Sequence, residues 1–388
     1  MNSVVFVVPS LTMGGAERVI ITLANGMAKR NWRVFLASPR GTGPLRVELS
    51  SAVEVVDFDV GRVYRSLLPL RRFLIRHPRA LVFSAMTHMN VVTLLVARFI
   101  RRHSAPVCVQ EVALFSRGRE ADPPIRGRLV HGMIRALYTR ADAVFCISRA
   151  VAEEVTDLMG SAVPPLVTIP NPTDLAAVRR GAAAPCPHPW LADSARARTP
   201  LLVGVGRLAP EKGFELLLRA LAKLRSDGSV YRLLLLGSGP QRLALNALAK
   251  RLQLDSDALR FLGVQSNPWA YMARANVVVV PSHAEGFGLV LVEAMACGTQ
   301  VVSTRGGGPE EILEGGRWGE LAVSGDADAL VTAIRRAFAA PRAPSDLRAV
   351  AARYGTATVL DRYAAMLSFL AERSYSDPTV GEPRRRMQ

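Results

Sequence analysis

Two glutamates, Glu285 and Glu293, stand with seven residues between them in the stretch His283-Ala284-Glu285-Gly286-Phe287-Gly288-Leu289-Val290-Leu291-Val292-Glu293-Ala294-Met295-Ala296-Cys297-Gly298. Four valines and Pro281 precede it, so the pattern predicts a buried strand, a glycine-bearing turn and a helix beginning near Gly288. A helix start offers free backbone N–H groups and the positive end of the helix dipole, a combination that suits phosphate. Gly286 and Gly288 allow the backbone to approach a ligand closely. Glu293 falls in an otherwise apolar helical run, 289–296, where a carboxylate is costly unless it is paired or hydrogen-bonded. A glutamate that reaches solvent or caps a loop is the plainer account of one such residue; the spacing to Glu285 favours a ligand role.

A second constellation is cationic. Arg207 and Lys212 lie five residues apart in Val203-Gly204-Val205-Gly206-Arg207-Leu208-Ala209-Pro210-Glu211-Lys212-Gly213, after an apolar run and before a helical one. Such a pair is placed to clamp a diphosphate and to stabilise charge on a leaving group. Cations at a helix start are unfavourable without an anion, which argues for an anionic ligand. Residues 233–239 read L-L-L-L-G-S-G, a strand followed by Gly237. Residues 10–18 read S-L-T-M-G-G-A-E-R, where Gly14-Gly15 form either a phosphate loop or a tight turn into a helix. Three D-x-D triplets (Asp57/Asp59, Asp255/Asp257 and Asp326/Asp328) have a metal-holding pattern but occur in unrelated contexts, as chance would leave them.

These residues need elements to position them. Short apolar runs alternate with helical patterns along the chain, which predicts an α/β fold of parallel βαβ layers. The first set of strands is read at 4–8, 33–38, 52–57, 80–84, 107–110, 143–147 and 166–169. Ser148 is placed as N-cap of a helix at 150–159. The pattern breaks at Asn171-Pro172, and 181–200 is rich in Ala and Pro without periodicity. A second set follows at 201–205, 231–236, 259–262, 277–280 and 300–303, with helices at 214–226, 241–252, 289–296 and 327–340. The expected organisation is a doubly wound Rossmann-like domain over 1–172, a linker over 173–199 and a second such domain over 200–357. A helix over 358–373 and a disordered basic tail over 374–388 complete it. Two doubly wound domains with sites at the carboxyl ends of their strands are expected to face each other across a cleft.

The E-x7-E spacing around G-F-G-L, ending in E-A-M-A-C-G, resembles the motif of retaining GT-B glycosyltransferases of family 4. The G-R-L-x-x-x-K-G segment, the strand–loop at 233–239 and the glycine loop at 10–18 resemble that family in order and spacing, so the likeness spans the chain. It implies that Glu285 lies by the donor sugar and the reacting centre, with Glu293 on the ribose hydroxyls. Arg207, Lys212, Gly286, Phe287, Gly288 and Leu289 then surround the diphosphate, Gly237 frames the base, and Gly14 and Gly15 close over the phosphates. It further implies sugar transfer with retention, no metal or other cofactor, a UDP-sugar donor ahead of GDP-mannose, and a last helix that returns to the N-terminal domain. That domain would be the acceptor side. Where the family often has a histidine after a mid-domain strand, this chain has Glu111; His88 follows the preceding strand, and either is a candidate for sugar or acceptor contact. Epimerases and glucan synthases share the architecture, but the synthases usually carry a lysine before the glycine pair, where this chain has Met13. A non-catalytic sugar-nucleotide-binding scaffold would be expected to lose Glu285, Arg207 or Lys212, and all three are present.

Composition bounds the partners. At 388 residues with 49% hydrophobic content the chain is globular and long enough for two domains. Cys108, Cys146, Cys186 and Cys297 are scattered, with neither a zinc nor a disulfide framework. The net charge is +17, and between Arg62 and Arg140 fifteen arginines stand against three acids, Glu111, Glu120 and Asp122. That asymmetry favours an anionic partner such as lipid headgroups or a diphosphate-linked acceptor. Nucleic acid is disfavoured, since only 6% of residues are aromatic and no recognition motif accompanies the arginines. With no apolar run long enough to span a membrane and no signal-peptide pattern, the expectation is a cytoplasmic protein, peripheral on the inner face of the membrane through stretches such as 67–76 and 91–102. The acceptor is then a lipid-linked or polysaccharide glycan at that surface.

Overall fold

Apolar runs without alternation fold as strands covered on both faces, which is the environment of a parallel sheet. The computed structural model describes residues 2–12, 14–100, 105–112, 124–186, 188–191 and 199–376. In the first half, strands β1 (Ser3–Val7), β2 (Arg33–Ser38), β3 (Val53–Asp57), β4 (Leu81–Ala85), β5 (Val107–Glu111), β6 (Ala143–Cys146) and β7 (Leu166–Thr168) form one parallel sheet in the order β3-β2-β1-β4-β5-β6-β7. In the second half, β8 (Leu201–Val205), β9 (Arg232–Leu236), β10 (Leu259–Gly263), β11 (Val277–Val280), β12 (Gln300–Thr304) and β13 (Glu320–Ala322) form another in the order β10-β9-β8-β11-β12-β13. Every strand pair in both sheets is parallel. Both orders are doubly wound, and each reverses beside its first strand, between β1 and β4 and between β8 and β11.

The described residues divide into two compact units, one holding those up to Pro172 together with Thr356–Ser376, the other holding those of Thr173–Gly355. In the first unit, Phe6, Phe83 and Phe145 line one sheet face, and Tyr363 of the helix Thr356–Ser376 stacks on Phe145 at 5.7 Å between ring centroids. That helix presses against the helix Gly15–Ala28, where Leu360 fills the space a β-carbon at Gly26 would need. Ser148 caps the helix Arg149–Met159 by accepting from Val151 N–H. In the second unit, Leu202, Leu233, Leu235, Val277, Val279 and Val302 turn one sheet face toward Leu217 and Leu221 of the helix Phe214–Arg225 and toward Leu330 and Ile334 of the helix Ala327–Ala339. Each such buried aliphatic side chain contributes about 1.5–3 kcal/mol relative to exposure.

The stretch expected as a linker, 173–199, is structured over much of its length. The helix Leu175–Ala183 is capped by Asp174, Val178 is buried, and Trp190 and Leu191 are buried in a short turn. These residues cluster with the second unit, which low periodicity concealed because the helix is only nine residues long. Residues 192–198 and the tail from 377 lie outside the described residues. The helical pattern that was to end at 373 continues to Ser376. Among the described residues no helix is long and apolar enough to cross a membrane.

Candidate functional site

The second unit brings its singled-out residues together at the carboxyl ends of β8, β9 and β11. β8 runs into Gly206-Arg207, and Leu208 N–H donates to Ser238 O at 2.9 Å, which ties this loop to the one after β9. Gly237 sits at that junction with φ +135, and a β-carbon there would lie 1.9 Å from Gly206 O. Only glycine fits. Gly237→Ala is therefore expected to cost about 2–4 kcal/mol from backbone strain and overpacking, read as a lowered Tm.

Pro210–Lys212 form a single 3-10 turn that feeds the helix Phe214–Arg225. Lys212 Nζ reaches Glu285 Oε2 at 2.6 Å, and the Ser282 hydroxyl donates to the same oxygen at 3.3 Å. The Lys212 and Glu285 side chains are 29% and 17% exposed, so the pair is shielded but reachable. Arg207 is 67% exposed and pairs with Glu211 Oε1 at 2.5 Å. The sequence argument that these two cations require a ligand anion is thus corrected: each has a carboxylate partner inside the chain. What persists is their position beside the turn that follows β11.

That turn is held from three sides. His283 N–H donates to Glu211 O at 2.9 Å, and His283 Nε2 meets Glu215 Oε1 at 2.5 Å. Gly308 N–H donates to Glu285 O at 2.9 Å, and Glu285 pairs with Gly307 as an isolated parallel bridge. The Thr304 hydroxyl donates to Ser282 O. The loop 304–308 is a supporting element that the sequence reading missed; its signal was the run Gly306-Gly307-Gly308-Pro309.

Gly288, at φ +106, starts the helix Leu289–Cys297, and no side chain caps that start. The helix is buried except along Leu289, Val290 and Glu293, which stand three and four residues apart on one stripe with Gly286 in the turn before it. Glu293 is half-buried on that stripe, which meets the cost of a carboxylate in an apolar helix. Burial of Cys297, with a smaller contribution from the Glu293 charge, pushes the Cys297 thiol up to about 12. Phe287 departs from expectation. It is 4% exposed and packs edge-on against Tyr354 at 5.6 Å, so it anchors the turn and is not open to a ligand.

The first unit places its candidates on the carboxyl edge of its own sheet. Gly14 precedes the helix Gly15–Ala28 in extended conformation, and the Glu17 carboxyl crowds the position its β-carbon would take. Burial raises the pKa of Glu17. His88 is exposed in the first turn of the helix Thr87–Phe99 after β4, and desolvation lowers its pKa, which keeps the ring neutral near pH 7. Glu111 ends β5 and is fully buried: Oε1 accepts from the Thr87 hydroxyl at 2.9 Å and from Val112 N–H at 3.0 Å, and Oε2 accepts from the Tyr138 hydroxyl at 2.8 Å. The expectation that Glu111 contacts sugar or acceptor directly is corrected by this burial. Both its oxygens are engaged inside the fold.

The D-x-D triplets have local roles. Asp57 Oδ1 accepts from Asp59 N–H, Asp255 Oδ1 from Asp257 and Ala258 N–H, and Asp326 caps the helix Ala327–Ala339. Among the described residues no group of three His, Cys, Asp or Glu side chains is arranged to hold a metal ion.

Comparison with known proteins shows the family. The family description Glycosyltransferase Family 4 matches residues 13–177, and Glycosyl transferases group 1 matches residues 192–356. The lipopolysaccharide core biosynthesis glycosyltransferase LpsE of Rhizobium meliloti is 29% identical over 358 residues, covering 90% of this chain and 92% of its own. A GDP-mannose-dependent phosphatidylinositol monomannoside mannosyltransferase of Mycolicibacterium smegmatis is 34% identical over 151 residues, 37% of this chain and 40% of its own. Among solved structures, sucrose-phosphate synthase from Thermosynechococcus elongatus superposes with a TM-score of 0.79 at 22% identity, covering 96% of this chain and all of that one. Anabaena Alr3699/HepE, solved with UDP-glucose, superposes with a TM-score of 0.75 at 23% identity, covering 95% of this chain and all of that one. With two doubly wound parallel sheets, the E-x7-E stretch on the second and both family descriptions matched in order, the chain belongs to the GT-B glycosyltransferases of family 4.

Proposed function

We propose that this protein transfers a sugar, with retention of anomeric configuration, from a nucleotide sugar to a lipid-linked or polysaccharide acceptor in cell-surface glycan synthesis. A UDP-sugar is the first donor candidate and GDP-mannose the next. The observation that carries the reading is the Lys212–Glu285 pair at the carboxyl ends of β8 and β11, with Glu293 on the one open stripe of the helix that follows. In this reading Glu293 holds the ribose hydroxyls and Glu285 lies by the donor sugar. Lys212 and Arg207 turn to the diphosphate as negative charge builds on it during cleavage of the sugar–phosphate bond. The departing phosphate accepts the acceptor's proton. The cations and the helix start supply the positive charge, so the reaction so described needs no metal.

The second unit is the donor side and the first the acceptor side. The relatives support the substrate class: one acts in lipopolysaccharide core synthesis, one is GDP-mannose-dependent, and one solved neighbour holds UDP-glucose. The test is thermal-shift screening against UDP, GDP, ADP and their sugar conjugates, with and without added divalent metal. A metal-independent rise in Tm with one nucleotide is expected. A folded protein that shifts with none of them contradicts the reading.

Attachment to an anionic membrane surface on the cytoplasmic side is part of the proposal. The helix Leu67–Arg76 buries Leu70 and Leu74 and leaves Leu68 and Ile75 exposed among Arg71, Arg72 and Arg76, with Tyr64 and Arg65 exposed just before it. Apolar tips framed by arginines suit a headgroup layer. R71E/R72E is expected to lower binding to phosphatidylglycerol vesicles by on the order of tenfold or more, as read by co-sedimentation. Equal binding of the variant and the parent would remove this face from the account.

A further inference from the structure

A buried polar network ties the end of β5 to the start of the helix after β4. Thr87 and Asn90, three residues apart on one helix face, reach the same strand end. The Thr87 hydroxyl donates to Glu111 Oε1 at 2.9 Å, and Asn90 Nδ2 donates to Gln110 O at 2.8 Å and to the Tyr138 hydroxyl at 3.1 Å. Tyr138 donates in turn to Glu111 Oε2, and Gln110 Nε2 donates to the Tyr363 hydroxyl at 2.8 Å. Asn90, Gln110, Glu111, Tyr138 and Tyr363 are all buried to 1% exposure or less.

A network of this kind is an expensive way to stabilise a sheet edge. A buried carboxylate is costly even when paired, and apolar side chains of similar volume would serve packing as well or better. Asn90 Oδ1 is moreover buried without a hydrogen-bond partner among the described residues. The network does hold something in place. Met86, between β4 and the helix, has φ 71 and ψ 133, a conformation an L side chain rarely adopts and one that costs about 1–3 kcal/mol. Its carbonyl accepts from Met89 and Asn90 N–H, so the strained residue also sets the first helical turn and the direction in which His88 leaves it. Such strain persists only where neighbouring contacts over-determine the backbone.

We propose that Glu111 is a positioning residue. Through Thr87 it clamps the strained 86–88 turn and so fixes His88 at the carboxyl edge of the first sheet. The inference rests on the proposed transferase reading for its consequence in turnover, and on the structure alone for the clamp. Glu111 thus keeps a place in the account while losing the direct contact the sequence suggested for it.

Four variants test it. Thr87→Val keeps the side-chain shape and removes the donor to Glu111; Thr87→Ser restores the donor. Glu111→Gln offers one acceptor oxygen to three donors and is expected to behave as Thr87→Val does. Thr93→Val removes a buried hydroxyl bond to Ser84, 3.1 Å, farther along the same helix, and reports what stability loss alone does. Nucleotide release from UDP-glucose and GDP-mannose gives kcat and donor KM, and hydrogen–deuterium exchange follows the amides of 86–90.

Thr87→Val is expected to lower kcat by roughly tenfold to a hundredfold, as misplacement of a contact group does, with donor KM unchanged and exchange at 86–90 accelerated. Thr87→Ser recovers both, and Thr93→Val changes neither. A Thr87→Val protein with the parent's kcat overturns the positioning role, whatever its exchange. If the parent itself releases no nucleotide from either donor, the transferase reading has failed instead. Parental exchange at 86–90 in Thr87→Val then decides separately against the clamp.

Discussion

Lys212→Ala is expected to lose turnover by about two orders of magnitude, the usual consequence of removing one group that stabilises transition-state charge. The lysine is the shielded cation of the site; Arg207 is mostly in solvent. As the sugar–phosphate bond breaks, charge grows on the diphosphate, and a fixed ammonium in a partly desolvated place acts on it more strongly than an exposed guanidinium. The substitution has a second effect. Among the described residues it leaves Glu285, 17% exposed, with only the Ser282 hydroxyl at 3.3 Å on the oxygen that Lys212 held. Breaking a shielded pair by removing one partner destabilises the fold, so Tm is expected to fall as well. Lys212→Met breaks the pair as well but retains the stem's packing, so a rate lost in both variants belongs to the ammonium and not to the packing of the stem. Nucleotide release at saturating donor, measured on protein shown to be folded, is the check; a parental rate in both variants places Lys212 outside the reaction.

The second large effect falls on binding. Glu293→Ala is expected to weaken nucleotide affinity by roughly tenfold to a hundredfold, the worth of hydrogen bonds to a charged group. The helix should tolerate the change. Alanine is the better helix former, and the stripe carrying Glu293 is open, so no cavity is created in the core. Tm without nucleotide is therefore expected to stay near the parent's, while the rise in Tm produced by nucleotide shrinks. Titration calorimetry with UDP, or with GDP if the screen selects it, reads the affinity directly. Near-normal affinity in Glu293→Ala would sink the ribose assignment and leave the E-x7-E spacing with a role for Glu285 only.

Much of this was legible in the sequence because the strands are parallel and buried on both faces. Their apolar runs are continuous, and among the described residues twelve of the thirteen strands fall within a residue of the run that announces them. β13 was missed because Glu320–Ala322 is three residues long and carries no pattern. The helices Pro344–Ala352 and Leu175–Ala183 were missed because nine residues rich in alanine show little periodicity; tertiary packing decides them. The candidate site was proposed from the sequence where a charged residue interrupts an apolar run, as Glu293 does, and from glycines of which Gly237 and Gly288 take a positive φ. It was not legible where burial decides. Phe287 and Glu111 both have residue types that suit a ligand, and only the fold shows one packed on Tyr354 and the other enclosed by Thr87, Tyr138 and Val112 N–H. The partner of Lys212 was hidden for a related reason: Glu285 is 73 residues from it in the chain.

The most direct measurement of the central claim is sugar release from the donor that the nucleotide screen selects, followed by proton NMR of the anomeric signals in the presence of a metal chelator. The account predicts nucleotide release with the sugar appearing first in the donor's own anomeric form, before mutarotation. Appearance of the opposite anomer would contradict retention. Tight nucleotide binding with no release, even with membrane extract added as acceptor, would contradict catalysis and assign the chain to sugar-nucleotide binding without transfer.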